Sequence, residues 1–157
     1  MQGNPEFMRQ AIELAIENVT LGSGGPFGAV IVRNGEVIAT GVNQVTATND
    51  PTAHAEVTAI RNACRALEDF SLPECVIYTS CEPCPMCLAA IYWARIEKIY
   101  YSATAAQAAA AGFDDAFLYE EMRKSFEERT VPGERLLADR GNETFEAWRR
   151  FLARVEY

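Results

Sequence analysis

Apolar residues recur at Met8, Ala11, Ile12, Ala15 and Val19, the spacing of one face of a helix. Asn4-Pro5 precedes them, a capping residue followed by proline at the first helical position. The period then changes. After a glycine-rich loop from Leu21 to Gly28, apolar runs at Ala29 to Arg33 and Val37 to Val42 predict two strands around an Asn34-Gly35 hairpin turn. Asp50-Pro51 repeats the cap-and-proline pair and predicts a second helix, from Pro51 to about Ala66. Cys75 to Ser80 reads as a short apolar strand. Glu82-Pro83-Cys84-Pro85 turns the chain into a third helix ending near Ala94, with Tyr92 and Trp93 as packing residues. Ile96 to Ser102 is a further strand, and Ala103 to Ala111 a helix, since alanine is the best helix former. Asn142 is a candidate cap for a last helix, with Phe145, Trp148, Leu152 and Val155 on one face. Two adjacent strands followed by helix–strand alternation predict an α/β layer fold with a mixed sheet. With no repeat and no linker, residues 1–157 read as one domain.

Composition narrows the partners. The chain carries a net charge of −8, with a pI of about 4.7. Proteins that grip polynucleotide usually show a basic stripe, because affinity comes from neutralising phosphates. Here the one dense arginine group, Arg149, Arg150 and Arg154, alternates with apolar residues and reads as the wet side of a helix. A small substrate is favoured over nucleic acid. No apolar run is long enough to span a membrane, and no signal peptide opens the chain, so a cytoplasmic protein is expected.

Five cysteines, an odd number in a chain of this size, argue against a disulfide framework. Cys81, Cys84 and Cys87 crowd together, and His54 is the single histidine. Cys84 and Cys87 sit three apart at an expected helix start, so their thiolates share one side of a turn where the helix dipole favours negative charge. One imidazole and two thiolates suit zinc. Three protein ligands leave one tetrahedral position open, as in catalytic rather than structural sites. Glu56 is then the candidate general acid–base. His54 and Glu56, two apart, converge only near a helix start, where side chains lean towards the N-terminus. A closed structural site with Cys81 as fourth ligand is the plainer alternative. Cys64 and Cys75 read as core.

Thr52-Ala53-His54-Ala55-Glu56 with Pro83-Cys84-Pro85-Met86-Cys87 is the His-x-Glu and Pro-Cys-x-x-Cys pattern of zinc nucleobase deaminases. Gly24 to Val30, Asn49 to Val57, Ser80 to Cys87, Ala90 to Arg95 and Gly112 to Asp115 extend the likeness over nearly the whole chain. It resembles the bacterial guanine deaminase branch of the cytidine-deaminase-like superfamily. The resemblance implies a three-layer α/β/α fold around a five-stranded mixed sheet. It implies Zn2+ on His54, Cys84 and Cys87, and a homodimer that exchanges a C-terminal segment of about residues 142–157. It also implies that Phe27, Asn43, Ala55, Asp115 and the partner's Tyr157 shape a pocket for a purine base. The Gly24–Val30, Asn49–Val57 and Ser80–Cys87 stretches are shared in part with tRNA adenosine deaminases, which along with deaminases of other small rings remain alternatives.

Guanine has a physical argument of its own. Its N1–H and exocyclic N2–H2 are adjacent donors, and an ionised carboxylate can accept from both. Asp115 fits that role, with Asp114 second; the same pair could instead cap a helix opening at Ala116. Phe27 could stack on the base or belong to the core. Asn43, at a strand end, could read a ring carbonyl or N7, or shape the turn before Gln44. In the expected reaction Glu56 and Asp115 divide the proton transfers as guanine becomes xanthine and ammonia.

Overall fold

The structure, a computed structural model, describes residues 2–157. The chain divides into two compact units, Met1–Asp115 and Ala116–Tyr157. The first opens with helix α1, Pro5–Thr20, capped by Asn4 Oδ1 accepting from the Glu6 N–H at 3.0 Å. The inward face of α1 is Ala11, Ala15 and Asn18; Val19, which also fits the apolar spacing, is 49% exposed.

Strands β1, Gly28–Arg33, and β2, Glu36–Val42, form the expected hairpin, with Asn34 and Gly35 both at positive φ (54° and 81°). A single helical turn, α2, Val45–Thr48, follows. The next helix, α3, spans Ala55–Leu67, not Pro51 onwards. Asp50 Oδ1 accepts from both the N–H and the hydroxyl of Thr52, at 2.8 and 2.6 Å. That closes an Asx-type turn rather than capping a helix, and the chain needs four more residues before it can coil. Strand β3, Cys75–Cys81, is buried along its length; α4, Pro85–Trp93, β4, Lys98–Ala103, and α5, Ala105–Ala110, complete the regular elements before Asp115. Thr104 and Gln107 close a capping box on α5.

The sheet order is β2-β1-β3-β4, antiparallel except for the β3–β4 pair. Among the described residues it has four strands, not five. After Ala103 the chain is alanine-rich and helical, then short helix and irregular backbone, and supplies no further alternating run to extend the sheet beyond β4. The mixed pairing itself is as expected.

Strand alternation splits the core into two layers. Val30, Val32, Val76 and Tyr78 face α1, whereas Ala29, Ile31, Cys75 and Ile77 face α3 and α4. On α3 the sheet-facing stripe is Ala55, Ala59 and Ala63, all fully buried. Opposite lies Gly41 of β2, where an added Cβ would come within 2.3 Å of the Ala55 carbonyl oxygen and 2.4 Å of the Ala59 nitrogen. Helix and strand therefore touch backbone to backbone.

The second unit contains α6, Ala116–Arg123, a turn of 3-10 helix at Phe126–Glu128, and α7, Glu143–Arg150. Asn142 precedes α7 but does not cap it; its side-chain amide donates to Glu146 Oε1 at 3.1 Å. Because α7 stops at Arg150, Leu152 and Val155 lie beyond the helix and do not share its face with Phe145 and Trp148. None of residues 116–157 is buried.

Gly41→Ala is expected to lower stability by about 1–3 kcal/mol, as overpacking of a tight contact does. Urea unfolding followed by circular dichroism measures it. An unchanged midpoint would mean that α3 and β2 accept a methyl group between them.

Candidate metal centre and active site

Two helix starts meet at one end of the sheet. His54 is the N-cap of α3, extended at φ −68°, ψ 159°, and Glu56 is the second residue of that helix. Cys84 is the N-cap of α4, at φ −64°, ψ 167°, with Pro85 fixing the first helical position and Cys87 at the third. An extended cap residue points its side chain across the helix start instead of along its flank. This is how His54 and Glu56, two apart, reach one site, and why Cys84 and Cys87 do so as well.

His54 Nδ1 lies 3.6 Å from Cys84 Sγ and 3.5 Å from Cys87 Sγ, and the three candidate ligand atoms all fall within 4.8 Å of one another. A tetrahedral zinc with ordinary Zn–N and Zn–S bonds sets nitrogen and sulfur about 3.6 Å apart. The donor set and its edges therefore fit zinc, with Nδ1 as the imidazole ligand. Cys81 does not join them. Its thiol donates instead towards the Thr104 carbonyl oxygen at 3.8 Å, and burial raises it to about 11. Among the described residues the metal-holding group is His54, Cys84 and Cys87, so the closed four-ligand alternative is not the arrangement found.

The site is rich in groups that resist sharing negative charge. Cys84 is brought down to about 4, chiefly by the hydrogen bond from Cys87 and then by His54, against the opposing effect of burial. Cys87 is pushed up as donor to Cys84, and by its complete burial. Glu56, 5% exposed, is raised chiefly by burial; Oε2 accepts from Cys87 Sγ at 3.4 Å. Thr79, next along the inward face of β3 after Ile77, lies 3.4 Å from Glu56 Oε1 and donates to the Cys81 carbonyl at 3.0 Å. Asp115 is half-buried and raised by that burial, then by the negative charge of Cys84, Asp114 and Glu82. A divalent cation relieves this mutual repulsion at a stroke.

The remaining candidates fall in different places. Phe27 packs on the core layer between sheet and α3, with Phe113 edge-on at 5.0 Å and 87°. Asn43 is 8% exposed and belongs to the same end of the sheet, since its N–H bonds the Phe27 carbonyl and the next residue, Gln44, bonds the carbonyl of Ala53. Ala55 is fully buried with its methyl group in the core, so that only its backbone amide, which has no intrahelical acceptor at that position, is left for other work. Tyr157 lies in the second unit, 75% exposed. Tyr92 and Trp93, expected to pack, are 72% and 63% exposed. Asn18 and Thr79 escaped the sequence reading, and Phe113 entered it only as part of the Gly112–Asp115 likeness. The spacing allows Asn18 on the stripe of Ala11 and Ala15 but equally allows the more apolar Val19, so only the structure shows which is buried.

A family model of the cytidine and deoxycytidylate deaminase zinc-binding region matches residues 1–103. The chain belongs to this deaminase family. Guanine deaminase of Bacillus subtilis is 55% identical over 151 residues, covering 96% of this chain and 97% of that one. An X-ray structure of guanine deaminase from Bacillus subtilis matches with a TM-score of 0.96 at 53% identity, over 99% of both chains. A tRNA-specific adenosine deaminase of Agrobacterium fabrum is 51% identical over 78 residues, 50% of this chain and 51% of its own. Likeness to the first relative thus runs end to end, and likeness to the third stops at half. The zinc-binding deaminase fold and the His/Cys/Cys cluster describe the same thing from two sides: the matched region contains both helix starts.

Cys84→Ala is expected to leave this deaminase without stoichiometric zinc, whereas Cys81→Ala keeps it. Metal analysis of the purified variants by mass spectrometry decides. Zinc loss from Cys81→Ala would restore the four-ligand site.

Proposed function

We propose that the protein hydrolyses free guanine to xanthine and ammonia, with zinc on His54, Cys84 and Cys87. The observation that carries this reading is a His/Cys/Cys cluster against a buried glutamate, in a chain related over 96% of its length to a guanine deaminase. When bound, zinc lowers the pKa of a water and supplies a nucleophile at neutral pH. Glu56 takes the proton that the attacking water loses and returns it to a ring nitrogen as C2 becomes tetrahedral. Its place beside Cys87, away from solvent, keeps that proton within the site. Asp115 accepts from N1–H and the amino group, and the proton of the new C2 hydroxyl passes by way of Asp115 to the departing amino nitrogen as the C2 carbonyl forms and the C–N bond breaks, so that water and guanine balance xanthine and ammonia. Phe27 stacks on the base, Asn43 reads its polar edge, and the backbone amide of Ala55 meets it at the start of α3.

The second unit supports a homodimer with an exchanged tail. Phe117, Leu137, Phe145, Phe151 and Leu152 are between 57% and 95% exposed. Apolar surface on that scale favours cover by another molecule, and a second copy would bring the partner's Tyr157 to the base. The five unpaired cysteines suit a reducing cytoplasm. No helix among the described residues is long and apolar enough to cross a membrane.

With guanine, adenine, cytosine, isocytosine, guanosine and an aminotriazine offered in parallel, ammonia release is expected to be fast from guanine and slight from adenine and cytosine. Glu56→Gln should keep its zinc and lose about a hundredfold to ten-thousandfold in turnover. Release from another ring would keep the zinc and Glu56 chemistry but remove the Asp115 argument. Silence on every base would point to a polynucleotide substrate. Deleting Val155 to Tyr157 should abolish most guanine turnover without changing zinc content; full activity in that truncation would dismiss the tail from the pocket.

A further inference from the structure

Asn18 is the one polar side chain on the buried stripe of α1, and it is 4% exposed. Its amide nitrogen donates to two carbonyls, those of Gly25 and Asn43, each at 2.9 Å. One NH2 group therefore ties together α1, the glycine-rich loop and the exit from β2. The loop is drawn in tightly enough that a Cβ on Gly24 would lie 2.2 Å from the Asn43 carbonyl oxygen and 2.9 Å from Asn18 Nδ2.

The same bonds fix the side chain of Asn43. Asn43 Oδ1 accepts from the backbone N–H groups of Gly25 and Val45, each at 3.3 Å. Gly25 is thus held twice: its carbonyl by Asn18 and its N–H by Asn43. With two backbone donors on Oδ1, the carboxamide of Asn43 cannot flip without losing both, and its Nδ2 becomes the end left for a ligand. A carboxamide free to turn would offer donor and acceptor alike and distinguish poorly between an acceptor and a donor on a ring edge.

We propose that Asn18 is a positioning residue for base recognition: by clamping Gly25 and the Asn43 backbone it locks the Asn43 carboxamide as a hydrogen-bond donor to an acceptor on the base. The proposal rests on Asn43 touching guanine, as in the function given above. Asn18 itself does not touch substrate.

A double-mutant cycle with Asn18→Ala and Asn43→Ala, on zinc-loaded enzyme, tests it through kcat/KM for guanine. Asn18→Ala alone should lower kcat/KM about tenfold to a hundredfold, mostly through KM, since a positioned donor holds ground and transition states alike. In the Asn43→Ala background the same change should cost less than about twofold. Equal losses in both backgrounds would make Asn18 a merely structural residue and overturn the proposal. Wild-type kcat/KM in Asn43→Ala would overturn the contact between Asn43 and guanine, and the proposal with it. Asn18→Ser, which keeps one hydroxyl donor, replaces Asn18→Ala if the latter does not fold. Hydrogen exchange at the amides of Gly25 and Val45 gives an answer independent of any substrate. Both should exchange at least tenfold faster in the Asn18 variant, while amides within β3 stay protected. Unchanged exchange at those two amides would refute the clamp even if guanine were the wrong base.

Discussion

Backbone contact between α3 and β2 is the constraint on which the site depends. Gly41 puts no side chain between the strand and the Ala55, Ala59, Ala63 stripe, so the helix axis has no soft layer beneath it. A larger residue on either side would lift α3 by the thickness of a methyl group. The two nitrogen–sulfur edges of 3.5 and 3.6 Å depend on His54 at the head of α3 and on two cysteines at the head of α4. A displacement on that scale opens them beyond what one zinc spans. Small residues far from the reacting atoms thus set the metal geometry. Interiors packed to crystal density transmit such shifts rather than absorb them.

Helix starts also settle the electrostatics. Both cap residues place their side chains where unpaired N–H groups and the helix dipole favour negative charge. The hydrogen bond from Cys87, with His54 beside it, brings Cys84 down to about 4, whereas Cys87, Glu56 and Asp115 are all raised. The protein has gathered more acidic groups than its own dipoles can hold ionised. A structural core would avoid this at any single position. Such a cluster marks a functional site, and a cation held by His54, Cys84 and Cys87 offsets its charge.

Much of this was legible in the chain, and the rest was not for definable reasons. Asn4-Pro5 and Asn34-Gly35 do what local chemistry says they do, because cap and turn preferences act within a few residues. Asp50-Pro51 reads identically and does otherwise, since Thr52 supplies two nearer donors and the turn wins over the helix. The metal ligands are readable because their spacing reflects a chemical requirement. The expected fifth strand came from family likeness, and nothing after Ala103 carries an alternating pattern that could build it. Val19 and Asn18 show the limit of periodicity most clearly. Adjacent positions both fit an inward stripe, and hydrophobicity chooses Val19. The structure buries Asn18, whose two carbonyl partners lie 7 and 25 residues away.

Ala29, Ile31, Cys75 and Ile77 fill the sheet face towards α3 and α4 by packing, and Thr79, next along β3, is turned to Glu56 and the Cys81 carbonyl. The residues proposed above to read the ring lie where elements end: Asn43 after β2, Asp115 after α5, Tyr157 at the end of the chain. Loops hold function in most enzymes because a rigid frame lets them vary, and here the division is sharp. Asn43 is a partial exception, being 8% exposed and engaged by loop and helix at once. Two backbone N–H groups, those of Gly25 and Val45, fix the direction of its side chain. On the proposed function, a change of ring specificity at Asn43 would therefore have to move the glycine-rich loop and α1 with it.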